Sequence, residues 1–200
     1  MNSDTETSAV AASGAIDFPA LAEQIKQWGC ELGFSGIGIT LPDTAEATPR
    51  LQRWLALGRH GGMDYMAKHA DLRANPEALV PGTRSIVSVR LPYWQQETKS
   101  EQVLADKALA YVSRYALGRD YHKTIRQRLQ KLADRIGGAL HALDPAIDFA
   151  YRAFSDSAPV LEVEFARQSG IAWRGKHTLS LTFFFNDTAT TEIYTNLPLP

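Results

Sequence analysis

The feature that most constrains this fold is an apolar repeat of helical period between residues 120 and 141. Apolar side chains recur every three or four residues, at Ile125, Leu129, Leu132, Ile136 and Leu140. This spacing predicts a long helix with one apolar face. The opposite face is basic and carries Lys123, Arg126, Arg128, Lys131 and Arg135. Because such a helix has to bury its apolar face against another layer, the chain is expected to form a layered domain.

Shorter patterns supply the other layers. Helices are predicted over 17–33, 50–58 and 159–169, with a helical or mixed segment over 106–117. Strands are predicted over 35–40, 85–93, 146–154 and 177–185. Residues 59–82 are rich in Gly, Pro, His and Arg and are expected to form a long irregular loop. This order predicts an α+β or α/β sandwich in residues 17–200, preceded by a disordered tail over 1–16.

The composition excludes several classes of protein. The net charge is −1, so any RNA contact has to come from a local basic patch. Cys30 is the single cysteine, which excludes a disulfide framework and a cysteine-held cluster within these residues. No apolar run approaches the roughly 18 residues of a membrane span, and the N-terminus lacks the pattern of a signal peptide. A cytoplasmic protein without a membrane partner is therefore expected.

Asp156, in FSDSAPVLE, has two interpretations. Asp is a favoured N-cap, and a helix is predicted to begin near Pro159. The alternative is a proton donor. An ordinary carboxyl, with a pKa near ~3.9, is only about 0.1% protonated at pH 7, so a donor would need a poorly solvated site. The apolar run before Asp156 is compatible with such a site, and both interpretations stay open.

The segment GIAWRGKH, residues 170–177, places small residues beside Arg174 and Lys176. Such a loop can bring backbone N–H groups and cations close to an anionic or amide-rich ligand. A helix-to-strand loop with surface charges has the same composition. The five histidines show no metal-ligand spacing, so no protein-bound metal is predicted.

Asp120, Tyr121 and His122 stand at the start of the long helix, where Asp120 is a suitable cap. The pair Asp120 and His122 lacks the glycine of the D-x-H-x-x-G motif, whose histidine ligates cobalt in some cobalamin proteins, because Ile125 stands there. The histidine is therefore either a structural hydrogen bonder or part of a different site. The basic face of the same helix is either solvated or binds phosphates.

Five segments together carry a resemblance to a known family. They are HGGMDYMAKHADLRANP, LVPGTRSIVSVRLPY, YVSRYALGRDYHKTIRQRLQKLADRI, FSDSAPVLE and GIAWRGKHTL. In this order they resemble the N-terminal cobalamin-binding domain of the epoxyqueuosine reductases, and the likeness resumes at EIYTNLPLP.

The resemblance implies a cobalamin-dependent oxidoreductase that also carries two [4Fe–4S] clusters. Members of this family reduce epoxyqueuosine to queuosine at the wobble position of a tRNA anticodon, in queuosine biosynthesis. The implied fold is a nitroreductase-like mixed sheet flanked by helices, similar to the cobalamin domains of reductive dehalogenases. The implied partners are a tRNA with a queuosine-type anticodon and an external electron donor, and the implied state is a monomer.

The resemblance also implies roles for single residues. Asp156 matches the family's proton donor, and Arg73 and Ser113 match positions that contact cobalamin. Tyr121, His122 and Lys176 lie in matching motifs. The predicted cofactor-binding set is Arg73, Ser113, Tyr121, His122, Asp156, Arg174, Lys176 and Ser180.

Two departures from the family pattern bear on these expectations. With Cys30 alone, the chain cannot ligate a four-cysteine cluster. It is therefore expected to be an inactive N-terminal fragment of the enzyme, and the alternatives are a stand-alone cobalamin-binding or processing module and a plain RNA-binding domain. In residues 182–195, TFFFNDTATTEIYT replaces a Gly-Ser hairpin, and NDTATTE resembles a translated sequencing adapter. Two interpretations stay open: an artefact, in which case the strand pair is not expected to form, and a genuine polar turn between two strands.

Overall fold

The computed structural model describes residues 16–93, 100–174, 180–181 and 188–195. Its helices are α1 (Phe18–Glu31), α2 (Ala47–Ala56), α3 (Asp64–Lys68), α4 (Ala70–Ala74), α5 (Pro76–Leu79), α6 (Ser100–Ala105), α7 (Tyr121–Leu143) and α8 (Glu162–Gln168). Its strands are β1 (Gly36–Thr40), β2 (Ser85–Pro92), β3 (Tyr151–Phe154), β4 (Trp173–Arg174), β5 (Ser180–Leu181) and β6 (Thr188–Thr195). A 3-10 turn, Arg114–Ala116, precedes α7. The predicted tail over 1–16 lies, except for Ile16, outside these residues.

Four strands form one sheet in the order β1-β2-β6-β3. Ser88 of β2 and Phe154 of β3 both pair with Glu192 of β6. The short strands β4 and β5 pair separately, Arg174 with Ser180. The α+β class is confirmed, but the expectation of a mixed sheet is wrong for the described strands. A mixed sheet needs a parallel pair, and every neighbour here is antiparallel.

Strand β2 divides the core because its side chains alternate between the two faces of the sheet. Val87 and Val89 pack into the main cluster with α1 and α7. Ile86 points the other way and packs with Phe154 and Phe165, the latter from α8. The sheet is thus covered by α1 and α7 on one face and by α8 on the other.

Helix α7 confirms the prediction drawn from the apolar repeat. All five repeat positions are buried, and they pack against Leu21 and Ile25 of α1. Full burial of one such side chain contributes about 1.5–3 kcal/mol. Helix α1 begins as predicted, since the carboxylate of Asp17 accepts from the N–H of Ala20 at 2.9 Å.

A glycine sets the spacing between α1 and β1. A Cβ atom at Gly29 would collide with the side chain of Ile37. The helix can therefore lie this close to the sheet only with glycine at that position.

Residues 59–82 are not the irregular loop that was predicted, because they form α3, α4 and α5. Local capping explains the last of these helices. The side chain of Asn75 accepts from the N–H of Glu77, and Pro76 takes the first helical position. The helix predicted over 50–58 begins earlier, at Ala47.

The helical or mixed segment predicted over 106–117 contains only the 3-10 turn, and the helix nearby is α6, before it. The large apolar side chains of the segment stay exposed, namely Leu109, Tyr111, Val112, Tyr115 and Leu117. Without a buried face, a short helix gains too little to offset its nucleation cost.

Several predicted boundaries also differ near the C-terminal end. Helix α8 begins at Glu162 rather than at Pro159. The strand predicted over 146–154 covers only Tyr151–Phe154, because a turn after Asp144 precedes it. Of the strand predicted over 177–185, the described part is Ser180–Leu181. The backbone of 188–195 forms strand β6 and pairs with β2 and β3, as the interpretation of a genuine segment between strands allows.

Candidate functional site

Asp156 lies in the loop between β3 and α8 and does not cap that helix. Its side chain accepts a hydrogen bond from the hydroxyl of Tyr121 at 2.6 Å, and α8 begins six residues later. Its φ of 53° is the only positive value at a non-glycine residue in the described part of the chain. This left-handed backbone follows the buried Ser155 and turns Asp156 out to the surface. The N-cap interpretation is therefore wrong.

The start of α7 supplies the other groups around this carboxylate. Asp120 caps the helix by accepting from the N–H of His122 at 3.0 Å. The ring of His122 places Nδ1 3.0 Å from Asp120 and Nε2 3.5 Å from Oδ2 of Asp156, so the imidazole bridges two carboxylates. The hydrogen bond from the His122 side chain holds the pKa of Asp120 below its ordinary value.

Tyr121 acts as a donor in this arrangement. Burial raises its pKa, and the hydrogen bond to Asp156 and the charge of Asp156 raise it further. The hydroxyl therefore keeps its proton and points it at the carboxylate. Its ring stacks on His122, with centroids 4.0 Å apart, and meets the ring of Tyr115 edge-on at 6.0 Å.

The Asp156 side chain is 47% exposed. The apolar run that precedes it does not bury it, because the left-handed turn directs the side chain away from the core. The poorly solvated environment that a proton donor needs is thus not supplied by these residues alone.

Glu162 is a site residue that the sequence interpretation missed. It is partly buried in the first turn of α8. Burial raises the pKa of its carboxyl to about 7, the charge of Asp156 adds to this rise, and the charge of Arg73 opposes it. The signal in the sequence was available, since Glu162 follows the SDSAPVL run directly, but it resembles an ordinary first-turn glutamate.

Arg73, on α4, is linked to Glu162 by its charge. It is 8% exposed, and its Nη1 donates to the carbonyls of Tyr65 and Met66 at 3.4 Å each. Burial lowers the pKa of this guanidinium, while Tyr65 and Glu162 favour its charge. Its predicted role as a cofactor contact stays a prediction. In the described chain its charge acts on Glu162.

Arg174 belongs to a different cluster. Its Nη1 lies 3.6 Å from Oε2 of Glu164, which is 4% exposed and also faces Arg50 at 3.5 Å and Arg167 at 2.6 Å. Burial alone would raise the pKa of Glu164, but the arginines bring it below its ordinary value. Ser180 pairs through its backbone with Arg174, and Lys176 lies outside the described residues.

Ser113 is exposed just before the 3-10 turn, where its carbonyl accepts from the N–H of Ala116 at 2.9 Å. In the structure Tyr121 donates to Asp156 and His122 lies 3.5 Å from it, while the charges of Asp156 and Arg73 act on Glu162. Ser113 lies two residues before Tyr115, whose ring meets that of Tyr121. Arg174 and Ser180 pair through β4 and β5, and Arg174 also lies against Glu164 of α8.

Two further properties concern only the described residues. They contain no group of three or more His, Cys, Asp or Glu side chains that could hold a metal ion. They also contain no helix long and apolar enough to cross a membrane.

Comparison with known proteins supports the family resemblance. Residues 73–157 match the family model described as epoxyqueuosine reductase QueG, DUF1730. The epoxyqueuosine reductase of Pseudomonas aeruginosa is 49% identical over 185 residues, which cover 90% of this chain and 48% of that protein. This chain is similar in sequence to these epoxyqueuosine reductases. It spans about half the length of the curated epoxyqueuosine reductases it matches.

Solved epoxyqueuosine reductases show the same fold. A crystal structure of one with a tRNA-Tyr epoxyqueuosine-modified stem loop has a TM-score of 0.69 at 22% identity, covering 92% of this chain and 47% of that one. The Bacillus subtilis epoxyqueuosine reductase, with its catalytic aspartate loop swung out of the active site, has a TM-score of 0.66 at 21% identity, with the same coverage.

Proposed function

We propose that this chain is the cobalamin- and substrate-binding part of an epoxyqueuosine reductase, with Asp156 as the proton donor. The observation that carries the proposal is the geometry at Asp156. Its carboxylate is held on a strained turn by Tyr121 and His122. This is the arrangement expected of a group that must face a bound substrate.

The surface around this carboxylate suits a corrin. Several large apolar side chains on the segment leading into α7 stay exposed, namely Tyr111, Val112, Tyr115 and Leu117, and the Tyr115 ring meets that of Tyr121. Exposed apolar surface next to convergent polar groups is typical of a ligand site. A corrin has broad apolar faces and amide-bearing edges, so these apolar side chains would hold its face. Ser113 and the Arg174 loop with Lys176 and Ser180 would hold its edge.

Bound cobalamin would supply the electrons or the nucleophile for removal of the epoxide oxygen. The chain's own residues have to orient the substrate, exclude water and deliver a proton to the oxygen. Asp156 would deliver it, Tyr121 would hold the carboxylate in place, and burial under cofactor and substrate would provide the missing desolvation. In the Bacillus subtilis relative the catalytic loop is likewise named for an aspartate.

The remaining parts of the proposal concern the whole protein. A tRNA with a queuosine-type anticodon would be the substrate, as a modified stem loop is for a solved relative. The two [4Fe–4S] clusters would be ligated outside these residues, and an external donor would reduce them. The same proposal includes a finer likeness of the fold to the nitroreductase-like cobalamin domains of reductive dehalogenases. It also includes a monomeric state and a cytoplasmic location.

The test is Asp156→Asn in the full-length protein. We expect the variant to bind cobalamin with an unchanged visible spectrum, because the amide keeps the shape of the turn. Turnover of epoxyqueuosine in tRNA should fall by about 100-fold or more, the usual contribution of a positioned acid. Asp134→Asn, an exposed carboxylate on α7, is the matched control and should keep full activity. Full turnover in Asp156→Asn would refute the donor role.

A further inference from the structure

The chemistry of the proposed reaction sets a proton requirement that a single carboxyl group does not meet. Removing the oxygen of an epoxide as water leaves a carbon–carbon double bond and consumes two electrons and two protons, which the cofactor and the acid–base groups of the site have to supply. A carboxyl group carries only one of these protons. Asp156 therefore needs a neighbouring group that can protonate it again.

His122 is the imidazole that the structure places between two carboxyl groups. Its Nε2 lies 3.5 Å from Oδ2 of Asp156, and its Nδ1 lies 3.0 Å from Oδ1 of Asp120. The ring also stacks on that of Tyr121, with the centroids 4.0 Å apart, so its orientation is fixed from two sides. The His122 side chain is 37% exposed, which lets the ring exchange protons with solvent.

The contacts of the two ring nitrogens determine where protons can lie. The hydrogen bond from the His122 side chain lowers the pKa of Asp120, so an ionised Asp120 accepts the proton on Nδ1. In a neutral imidazole that is protonated on Nδ1, Nε2 carries a lone pair. A lone pair and a carboxylate repel each other, so the contact of Nε2 with Asp156 is favourable only when a proton lies on one of the two groups.

The two carboxyl oxygens of Asp156 have different surroundings. Oδ2 accepts from the hydroxyl of Tyr121 at 2.6 Å and is also the oxygen that His122 approaches. Tyr121 does not compete as a proton source, because burial and the hydrogen bond to Asp156 raise its pKa. One oxygen of Asp156 therefore faces the imidazole, and Oδ1 is left for the substrate.

We propose that His122 is a positioning residue that protonates Asp156 again while the epoxide oxygen is removed. The inference rests on the proposed role of Asp156 and deepens it. The Nε2–H bond of the imidazolium breaks, an O–H bond forms on Asp156, and the carboxyl proton passes to the substrate oxygen. The neutral imidazole then takes a proton from solvent, and Asp120 keeps the ring oriented for the next transfer. The separation of 3.5 Å is compatible with this transfer, because catalytic hydrogen bonds are often long until substrate binds.

The first experiment locates the proton on His122 without measuring turnover. The full-length protein is labelled with ¹⁵N at histidine, and the signal of His122 is assigned through its contact with the ring of Tyr121. We expect the neutral ring to keep its proton on Nδ1, as donation to Asp120 requires. A neutral ring that keeps its proton on Nε2 would overturn the proposal, because that is the proton that Asp156 has to receive.

The second experiment is chemical rescue of His122→Ala in the full-length protein. We expect kcat to fall by about 10-fold or more, while KM for the substrate tRNA and the visible spectrum of bound cobalamin stay unchanged. Added imidazoles should restore turnover, and the rescue should follow their pKa values and not their size. His141→Ala is the matched control, because His141 is an exposed histidine in the last turn of the same helix, and it should keep full activity.

The outcomes separate this inference from the proposed function. Full turnover in His122→Ala, or a loss that no imidazole restores, would overturn the proton transfer and leave Asp156 as the donor. Loss of cobalamin binding in His122→Ala would make this residue a cofactor contact and would overturn the proton transfer as well. Full turnover in Asp156→Asn would refute the donor role itself.

Discussion

At the scale of single residues, the backbone of Asp156 carries as much information as its side chain. A residue with a Cβ atom at a φ of 53° is strained, and the strain is tolerated where the turn has a use. Here the turn brings the carboxylate to Tyr121, which no regular continuation of β3 would do. The backbone conformation at position 156 should therefore favour glycine, whereas the proposed function requires the carboxylate of aspartate.

This conflict can be measured by comparing Asp156→Gly with Asp156→Ala. Both variants lose the carboxylate and its hydrogen bond, but only glycine adopts the left-handed conformation without strain. We expect the free energy of unfolding in urea to be higher for the glycine variant by about 1 kcal/mol, with both variants inactive. Equal stabilities would show that the turn relaxes when the side chain is removed.

At the scale of elements, α8 places Glu162 and Glu164, which are two residues apart in the sequence, in different environments. The charges of Asp156 and Arg73 act on Glu162, whereas Glu164 is buried and ties the helix to Arg50 of α2, to Arg167 on the same helix and to Arg174 of β4. Residues two apart on a helix do not face the same way. The two glutamates of this short helix therefore have different charged neighbours.

The structural contribution of the second cluster is tested with Glu164→Gln. Loss of the buried charge leaves three arginines without their shared partner, so the free energy of unfolding should fall by about 1–3 kcal/mol. Glu46→Gln is a suitable control, because the Glu46 side chain contacts Arg50 and Arg167 as well but is 71% exposed. Its effect should stay below about 1 kcal/mol. Equal effects of the two variants would contradict the assignment.

At the scale of the whole molecule, α7 connects the core to the candidate site. Its first turn holds Tyr121 and His122, and Lys123 and Arg126 follow on the basic face. Arg126 donates to the carbonyl of His122 on the same helix at 3.3 Å, whereas Arg135 pairs with Glu31 at 2.7 Å and Arg128 donates to the carbonyl of Gly33 at 3.4 Å. Lys123 and Arg126 lie nearest in sequence to Tyr121 and His122 and are therefore the better candidates for phosphate contacts.

We predict that Lys123→Glu combined with Arg126→Glu weakens binding of the substrate tRNA to the full-length protein. The slope of log affinity against log salt concentration should fall by about 2, one unit for each lost phosphate contact. The matched control is Lys26→Glu combined with Arg84→Glu, which makes the same charge change on α1 and just before β2. Equal losses in both variants would indicate a general charge effect and no interface on α7.

The sequence by itself determined the periodic elements. The repeat of α7, the cap of α1 and the apolar run of β2 are local patterns, and each predicted its element to within a few residues. The family resemblance identified Asp156, Tyr121 and His122 as one site, and the structure places them in contact or close to it. Patterns of this kind succeed because periodicity and capping depend on neighbours along the chain.

Only the tertiary structure decided the features that depend on contacts between residues far apart in the sequence. It showed that Asp156 does not cap α8 but accepts from Tyr121, and that Arg174 lies against Glu164. Glu162 and Glu164 look alike in the sequence. Burial and the charge of Asp156 raise the pKa of Glu162, whereas the arginines hold the pKa of Glu164 below its ordinary value. Burial and the neighbouring charges exist only once the helices are packed together.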